Sequence, residues 1–289
     1  MTTAQARTGW QRILVTRPQP EADRWTALLH SHGLPAQALP LINIGPATAA
    51  AERAAADQAR AQWQQYDAIM LVSGNAAQYF FDKNMLLALG QSAQAAIKTR
   101  VWTPGPGTAK AVRALGIGAA YIDQPSADAG QFDSESLWQR VGPQMGPGSK
   151  VLIVRGSSLV GDDEVAYASA TPVQAHTGGN GREWLRAQLQ AAGAAVDVVA
   201  VYERRAPDWN AETLAQARAA LQGNCCWLFS SSEAVMHLRN IFSTPELATA
   251  QALTTHPRIA QAAVEAGFAA VKQCRPTVAD VVASLESPI

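Results

Sequence analysis

Short turns rich in serine, threonine and glycine recur along this chain, and their residue types suit anion binding. Ser73-Gly74-Asn75, residues 103–108, Ser230-Ser231-Ser232 and residues 254–257 each follow an apolar run and precede a helix-like pattern. In a parallel sheet such turns line the carboxyl edge of the strands, where ligands bind. Small residues leave backbone N–H groups accessible at the positive end of a helix dipole. The pattern predicts an anion site made of main-chain donors, with plain helix capping as the alternative for each turn.

Other kinds of site find little support in the sequence. Gly105-Pro106-Gly107 lacks the third glycine of a dinucleotide fingerprint, and neither a phosphate-binding GxxxxGK[ST] loop nor a Gly-x-Ser-x-Gly elbow occurs. Metal-ligand spacing is also absent, so we predict no metal; Asp162-Asp163-Glu164 is the one acidic cluster. Cys225 and Cys226 begin an apolar run, which favours buried, inert thiols.

Tyr202 is a further candidate for chemistry. It closes the apolar run 196–201 and precedes Glu203-Arg204-Arg205, so we predict that it lies at the end of a strand. A tyrosine that emerges from a strand toward a cleft can donate a proton or a hydrogen bond to a leaving group. The alternative is an interfacial tyrosine with a buried ring and a solvated hydroxyl.

The sequence segments that carry these residues form an internal repeat. Three phrases recur in the same order: residues 13–18 match 151–156, residues 66–76 match 224–234, and residues 101–116 match 253–267. A duplicated chain predicts two similar lobes. A cleft between two lobes is a favoured place for a small-molecule site.

Each repeat combines a strand with a helix. The Ile-, Val- and Leu-rich runs are typical of strands buried on both faces. The helical stripe of Trp25, Leu28 and Leu29 ends at Gly33, and similar stripes end at Gly116, Gly193 and Gly267. Alternating strands and helices predict an α/β fold with parallel sheets and right-handed crossovers.

Composition narrows the class of protein. A chain of 289 residues predicts two domains. The balance of 23 basic and 23 acidic residues argues against a nucleic-acid partner. Three cysteines cannot form a secreted disulfide framework, residues 1–12 do not read as a signal peptide, and no apolar run is long enough to cross a bilayer. We therefore expect a cytoplasmic protein without a membrane partner.

Residues 156–181 read as one long connection. Gly161-Asp162-Asp163-Glu164 lies near its start and Gly178-Gly179-Asn180-Gly181 at its end. A connection of this length is either a mobile lid or a disordered segment. Because little in it could pack, the composition favours disorder.

Taken together, the phrases resemble the uroporphyrinogen-III synthase family over nearly the whole chain. The residues that carry the resemblance are Leu14-Val15-Thr16-Arg17-Pro18, 66–76 with Ser73-Gly74-Asn75-Ala76, 105–109, 132–137, 151–156, 198–204 with Tyr202, 229–234 and 256–260. Each motif alone is weak, whereas their joint order is fairly specific.

The resemblance implies a fold and a domain plan. The fold is two flavodoxin-like (Rossmann-like) parallel-sheet lobes joined by a two-stranded connection, with the ligand cleft between them. One lobe is discontinuous and comprises residues 1–39 and 206–289, while the other comprises 46–197. The connecting strands lie near 38–45 and 198–205. Inspection of the repeats alone would instead suggest an N-terminal half and a C-terminal half.

The resemblance also implies a reaction. Members of this family cyclise the linear tetrapyrrole hydroxymethylbilane, with loss of water and inversion of ring D, and need no cofactor. Loss of the terminal hydroxyl gives an azafulvene, which reacts through a spiro intermediate. Tyr202 matches the family tyrosine that assists departure of the hydroxyl. The implied substrate-binding residues are Arg17, Ser73, Gly74, Asn75, Gly105, Thr108, Arg155, Ser230, Ser231, Ser232, Pro257, Arg258 and Ile259.

The resemblance also predicts the binding partners of the protein. The substrate is a small molecule with eight carboxylates. We expect a monomer that makes transient contact with hydroxymethylbilane synthase. A non-catalytic two-lobed protein that binds a tetrapyrrole or a small anion is the alternative function, and it would not need Tyr202. A sugar-transferring enzyme with doubly wound lobes is a further rival, but the sequence shows no nucleotide recognition.

Overall fold

The computed structural model describes residues 9–90, 97–126, 134–158 and 181–286, with only the backbone at 158, 181 and 182. The chain divides into two compact units. The first unit comprises Met1–Ile44 and Arg205–Ile289, and the second comprises Gly45–Arg204. The chain therefore passes from one unit to the other twice, at 44–45 and at 204–205.

Strands and helices alternate along both units. The strands are β1 (Arg12–Val15), β2 (Ala36–Ala38), β3 (Asn43–Pro46), β4 (Ala68–Leu71), β5 (Arg100–Trp102), β6 (Ile122–Asp123), β7 (Lys150–Ser158), β8 (Ala195–Arg205), β9 (Cys225–Phe229), β10 (Gln251–Thr254) and β11 (Ala270–Gln273). The helices are α1 (Glu21–Ser31), α2 (Ala50–Ala61), α3 (Gly74–Phe80), α4 (Lys83–Gly90), α5 (Pro106–Ala114), α6 (Ser134–Val141), α7 (Gly181–Ala191), α8 (Ala211–Gln222), α9 (Ser232–Ile241), α10 (Thr244–Leu247), α11 (Pro257–Ala266) and α12 (Val278–Leu285).

Each unit is built on one sheet. The first has the order β11-β10-β9-β1-β2, and its pairings are parallel. The second has the order β3-β8-β7-β4-β5-β6, and the pairings from β4 to β8 are parallel. These two sheets confirm the predicted α/β class.

The two sheets have the same arrangement of strands, but the chain visits those strands in a different order. The order β8-β7-β4-β5-β6 in the second unit corresponds to β2-β1-β9-β10-β11 in the first. The registers also agree. Val151 of β7 pairs with Ala68 of β4, and their counterparts in the first unit, Ile13 of β1 and Cys226 of β9, pair with each other. Counting on from these pairs makes Arg17 the counterpart of Arg155 and Ser231 the counterpart of Ser73. This correspondence explains why the same phrases occur twice in the sequence.

Alternating side chains of the central strands fill cores on both faces of each sheet. In the first unit, Leu14 and Trp227 pack in the core that contains residues of α9 and α11. Their neighbours Ile13 and Leu228 pack in the core that contains residues of α1 and α12. In the second unit, α6 and α7 contribute to one core, while α3 packs against α5. Burial on both faces requires apolar residues at every position, which confirms the interpretation of the Ile-, Val- and Leu-rich runs.

The four predicted helix stops adopt the left-handed conformation. Gly33, Gly116, Gly193 and Gly267 have φ values of 76°, 94°, 84° and 102°. Residues with a Cβ rarely adopt this conformation, so glycine ends each helix at low steric cost.

The structure answers only part of the expectations about the 156–181 connection and about membrane crossing. The predicted loop at 156–181 begins too early, because β7 continues to Ser158; residues 159–180 lie outside the described residues, and so does the Asp162-Asp163-Glu164 cluster. Across the described ranges, none of the helices combines the length and the apolar character that crossing a membrane requires.

Candidate functional site

Each sheet has one position at which its crossovers diverge. In the second unit the chain runs from β4 to β5 and from β7 to β8, in opposite directions across the sheet. In the first unit it runs from β9 to β10 and from β1 to β2 in the same manner. Ligands of doubly wound sheets bind at the carboxyl ends of the strands at such a switch point. The residues there are Ser73, Gly74, Asn75 and Arg155 in the second unit, and Ser230, Ser231, Ser232 and Arg17 in the first.

Ser73 begins the helix after β4. Its Oγ accepts a hydrogen bond from the Ala76 N–H at 3.1 Å, so it is a true N-cap of α3. The N–H groups of Gly74 and Asn75 have no acceptor within the described ranges. A Cβ at Gly74 would come within 3.1 Å of the Ala111 Cβ, so this glycine also permits close packing between α3 and α5. The turn therefore offers two main-chain donors beside a fixed hydroxyl.

Tyr202 does not lie at a strand end, and that prediction is wrong. Strand β8 continues to Arg205 because β7 continues to Ser158, and the ladder pairs Ser157 with Glu203. Tyr202 is only 5% exposed. Its hydroxyl nevertheless lies 3.2 Å from the Ser73 Oγ at the switch point.

The ring of Tyr202 is held by its neighbours in the second unit. The ring of Tyr79 stacks on it, with centroids 5.8 Å apart and planes inclined by 29°. On β7 it lies against Gly156, where an added Cβ would be 2.4 Å from two ring carbons. The arrangement fixes the ring and directs the hydroxyl toward Ser73.

Arg155 of β7 lies at the same carboxyl edge of the second sheet as Ser73. Arg155 is half-buried and pairs in register with Ala200 of β8. Two carboxylates lie near the ends of these strands: Glu52 of α2 accepts a hydrogen bond from the Ser157 Oγ at 3.3 Å, and the buried Glu203 of β8 accepts two from Thr48. This edge of the second unit therefore combines cationic, hydroxyl and carboxylate groups.

The turn before α5 keeps its amides accessible. Gly105 is the N-cap and Pro106 opens the helix. Within the described residues no acceptor bonds the N–H groups of Gly107 or Thr108, and a Cβ at Gly107 would meet no atom within 4 Å. The hydroxyl of Thr103 is directed away from this turn, because it donates to the Asp123 carbonyl.

Arg17 is a half-buried cation in the first unit. Its guanidinium lies 4.4 Å from the centroid of the Trp25 ring, an arrangement that supports a cation–π interaction. Burial lowers the pKa of Arg17 from its ordinary value, while the nearby Glu21 acts in the opposite direction. In the described part of the chain its buried Nε has no hydrogen-bond partner. Arg17 therefore brings a positive charge to the switch point, and its enclosed Nε–H is an unsatisfied donor.

The serine turn after β9 differs from its counterpart. Ser231 is the N-cap of α9, but its side chain makes no cap hydrogen bond. The buried Ser232 Oγ also has no partner among the described residues. The Ser231 hydroxyl is therefore not committed to its helix, whereas the equivalent Ser73 hydroxyl is held by α3; the Ser232 hydroxyl is unpaired but enclosed.

The turn at Pro257-Arg258-Ile259 is less open than predicted. Pro257 has no N–H, and the amide of Arg258 donates to the His256 Nδ1 at 3.1 Å. The amide of Ile259 donates to the His256 carbonyl at 3.0 Å, and its side chain is buried. The exposed guanidinium of Arg258 is therefore the donor that remains at this turn.

No cluster with metal-ligand geometry occurs in the described ranges. The thiols of Cys225 and Cys226 are buried, and burial raises the pKa of both. A buried thiol with a raised pKa is a poor nucleophile, which supports the interpretation that both are inert.

Comparison with known proteins identifies the family. The family model described as uroporphyrinogen-III synthase HemD matches residues 23–163 and 163–283. The chain belongs to the uroporphyrinogen-III synthase family. The two matched segments cover most of both units and include all candidate residues except Arg17, which lies just before the first segment.

A solved structure of this family shares the fold. A uroporphyrinogen-III synthetase from Helicobacter pylori is 14% identical, with a TM-score of 0.53, and the match covers 96% of this chain and 99% of that one. A mutant uroporphyrinogen III synthase from Thermus thermophilus is 16% identical, with a TM-score of 0.49 and coverage of 94% and 96%.

Sequence reasoning missed the residues that surround Tyr202. It assigned Gly156 to the start of a loop and gave Tyr79 no role. A glycine inside a strand signals a bulge or a close approach of two segments, but Gly156 follows Arg155 and precedes two serines, so the sequence did not mark it as part of a strand. Nothing in the local pattern marked Tyr79, because its partner lies 123 positions away in the sequence.

Proposed function

We propose that this chain is a uroporphyrinogen-III synthase, a lyase that acts without a cofactor. It cyclises hydroxymethylbilane with loss of water and inversion of ring D in tetrapyrrole (heme or siroheme) biosynthesis. The observation that carries this proposal is the family match over residues 23–163 and 163–283. The match favours the enzyme over the alternative of a non-catalytic tetrapyrrole- or anion-binding protein.

The donors at the two switch points suit a substrate with eight carboxylates. Arg17 and Arg155 supply charge at equivalent positions, and the turns at Ser73–Asn75 and Ser230–Ser232 supply hydroxyl and amide donors. Hydrogen bonds from charged donors to carboxylates are about twice as strong as neutral ones. We propose that these residues, with Gly105, Thr108 and Arg258, bind the substrate carboxylates; Pro257 and Ile259 would contribute by shaping the turn.

Tyr202 is proposed to protonate the departing hydroxyl. The electron pair of the pyrrole nitrogen expels the hydroxyl, which takes the phenol proton and leaves as water. The azafulvenium ion that remains still carries its N–H, and return of that proton to the phenolate leaves the neutral azafulvene and restores the phenol. The Ser73 Oγ already accepts the Ala76 N–H, so its own proton can be donated to the Tyr202 oxygen. That hydrogen bond would stabilise the developing phenolate and leave the phenol proton for the substrate.

Holding the flexible bilane in a reactive conformation supplies the rest of the rate. A well-oriented intramolecular reaction can gain about 7–11 kcal/mol relative to unrestrained partners. Loss of water and ring closure then need no redox step and no cofactor. The proposed mechanism therefore depends on positioning more than on a strong acid or base.

The activity is tested by isomer analysis. Purified protein is incubated with freshly generated hydroxymethylbilane, the products are oxidised, and the porphyrin isomers are separated. We expect the type III isomer at a rate well above the spontaneous reaction. Formation of only the symmetrical type I isomer, at the uncatalysed rate, would refute the proposed function.

The role of Tyr202 is tested by Tyr202→Phe. Phenylalanine keeps the ring against Gly156 and Tyr79, so the fold is retained while the proton is lost. Because general acids contribute roughly 10²- to 10⁴-fold, we expect kcat to fall by about 100-fold or more. Tyr121→Phe, at another buried tyrosine of the same unit, is the matched control and should leave the rate unchanged. An unchanged rate for Tyr202→Phe would reduce that residue to a packing role.

Several finer points stay predictions. They are the cytoplasmic location, the monomeric state, the transient contact with hydroxymethylbilane synthase, and the assignment of residues near 38–45 and 198–205 as the strands that connect the lobes.

A further inference from the structure

Strand alternation alone would place Tyr202 on the wrong face of the second sheet. Val196 and Val198 of β8 pack in the core formed by α6 and α7. Side chains of a regular strand alternate between faces, so Ala200 and Tyr202 would follow Val198 onto that face. The contacts of Tyr202 are instead with Tyr79 of α3 and with Ser73, which precedes α3.

A register shift between β7 and β8 accounts for the difference. Arg155 pairs with Ala200, but the next residue, Gly156, pairs with Tyr202. Val201 is therefore an extra residue in β8 that has no counterpart in β7. One extra residue reverses the faces of all residues beyond it, which is how a β-bulge redirects a side chain. Tyr202 is turned onto the face that carries α3.

The redirected ring fits only because β7 has no side chain beneath it. A Cβ at Gly156 would lie 2.4 Å from the Cε2 and Cζ atoms of Tyr202 and 2.9 Å from its Cδ2. Gly156 does not have a left-handed φ, so the requirement is for space and not for backbone conformation. The ring cannot easily yield, because it is buried and Tyr79 stacks on it.

We propose that Gly156, together with the extra residue Val201, is the positioning device that sets Tyr202 for the reaction. Gly156 touches no reacting atom and acts only through the tyrosine ring. The catalytic part of this inference rests on the proposed function, whereas the packing part does not. The device also explains why Gly156 stands in the interior of a strand whose neighbouring positions are filled.

The test is Gly156→Ala, with Gly146→Ala as the matched control. A Cβ at Gly146 would meet no atom within 4 Å, and that glycine has no left-handed φ. We expect Gly156→Ala to lower the Tm by roughly 3–10 °C, as overpacking does in a protein of this size. We expect kcat to fall by roughly 10- to 100-fold with KM nearly unchanged, because the catalytic group is displaced. Gly146→Ala should leave the Tm and kcat unchanged.

A second background shows whether the effect passes through the ring. In Tyr202→Ala protein the ring is absent, so adding Gly156→Ala should cause no further loss of Tm. If Gly156→Ala alone fails to fold, a folded Gly156→Ala/Tyr202→Ala protein still supports the inference. An equal Tm loss in both backgrounds, an unfolded double variant, or a single variant with wild-type Tm and kcat would overturn it. The Tm coupling needs no substrate, so failure of the proposed function would show separately, as absence of the type III isomer.

Discussion

Ser73 and Ser231 occupy equivalent positions in the two sheets but make different hydrogen bonds. Each is the residue before the helix that follows the central strand. The Ser73 Oγ accepts the Ala76 N–H and lies 3.2 Å from the Tyr202 hydroxyl, whereas the Ser231 side chain makes no cap hydrogen bond. Replacing each serine by alanine therefore removes different amounts of stabilisation.

The expected magnitudes follow from those contacts. Loss of a serine N-cap costs about 1 kcal/mol, and loss of one further net hydrogen bond costs about another 1 kcal/mol. Ser73→Ala should therefore lower the free energy of unfolding by about 2 kcal/mol, while Ser231→Ala should change it by less than about 0.5 kcal/mol. In a protein of this size these values correspond to Tm changes of roughly 4–8 °C and less than about 2 °C.

Thermal unfolding of both variants, followed by circular dichroism, measures the difference. Ser73→Thr is the control, because threonine keeps a hydroxyl that can cap α3 and should recover most of the lost Tm. Equal Tm losses for Ser73→Ala and Ser231→Ala would refute the reasoning. The same conclusion would follow if Ser73→Thr were as destabilised as Ser73→Ala.

Two further predictions concern stability. Burial raises the pKa of Tyr66 above its ordinary value of 10, and the hydrogen bond to Asp197 raises it further, so the folded state favours the neutral phenol. This contribution to the free energy of unfolding should be complete below pH 10 and decline above it. Urea unfolding at pH 8 and pH 10.5 should show a smaller decline for Tyr66→Phe than for the wild type, and an identical decline would contradict this. Gly267 has a φ of 102°, and an added Cβ would lie 2.5 Å from the Thr244 Cγ2. Gly267→Ala should therefore lower the free energy of unfolding by roughly 1–3 kcal/mol. Urea unfolding measures this change, and a midpoint equal to that of the wild type would contradict it.

Much of the local structure could be predicted from the sequence. Apolar runs located the central strands, and the turns at Ser73 and Ser231 fell between a strand and a helix as expected. The glycines that end helices, such as Gly33, were also recognisable, because a left-handed residue after an apolar stripe has few alternatives to glycine. These features depend on nearest neighbours along the chain, and a single sequence records them directly.

The candidate site was predicted less completely. Donors at the carboxyl edge could be anticipated, but the state of each donor depended on contacts the pattern does not encode. The amides of Arg258 and Ile259 are already bonded to His256, and the hydroxyl of Ser231 is not needed for its cap. Which hydrogen bonds a turn keeps for itself depends on side-chain conformation, and residue type alone does not fix that.

The sequence by itself determined the strand and helix types, the duplicated plan and the identity of the residues at the carboxyl edges. The tertiary structure decided the face on which Tyr202 lies, because one extra residue in β8 is invisible until β7 is placed beside it. It also decided that position 156 must be glycine, because the Tyr202 ring occupies the space that a Cβ there would fill. Strand register is set by pairing between distant segments, and a shift of one residue exchanges the two faces of a sheet.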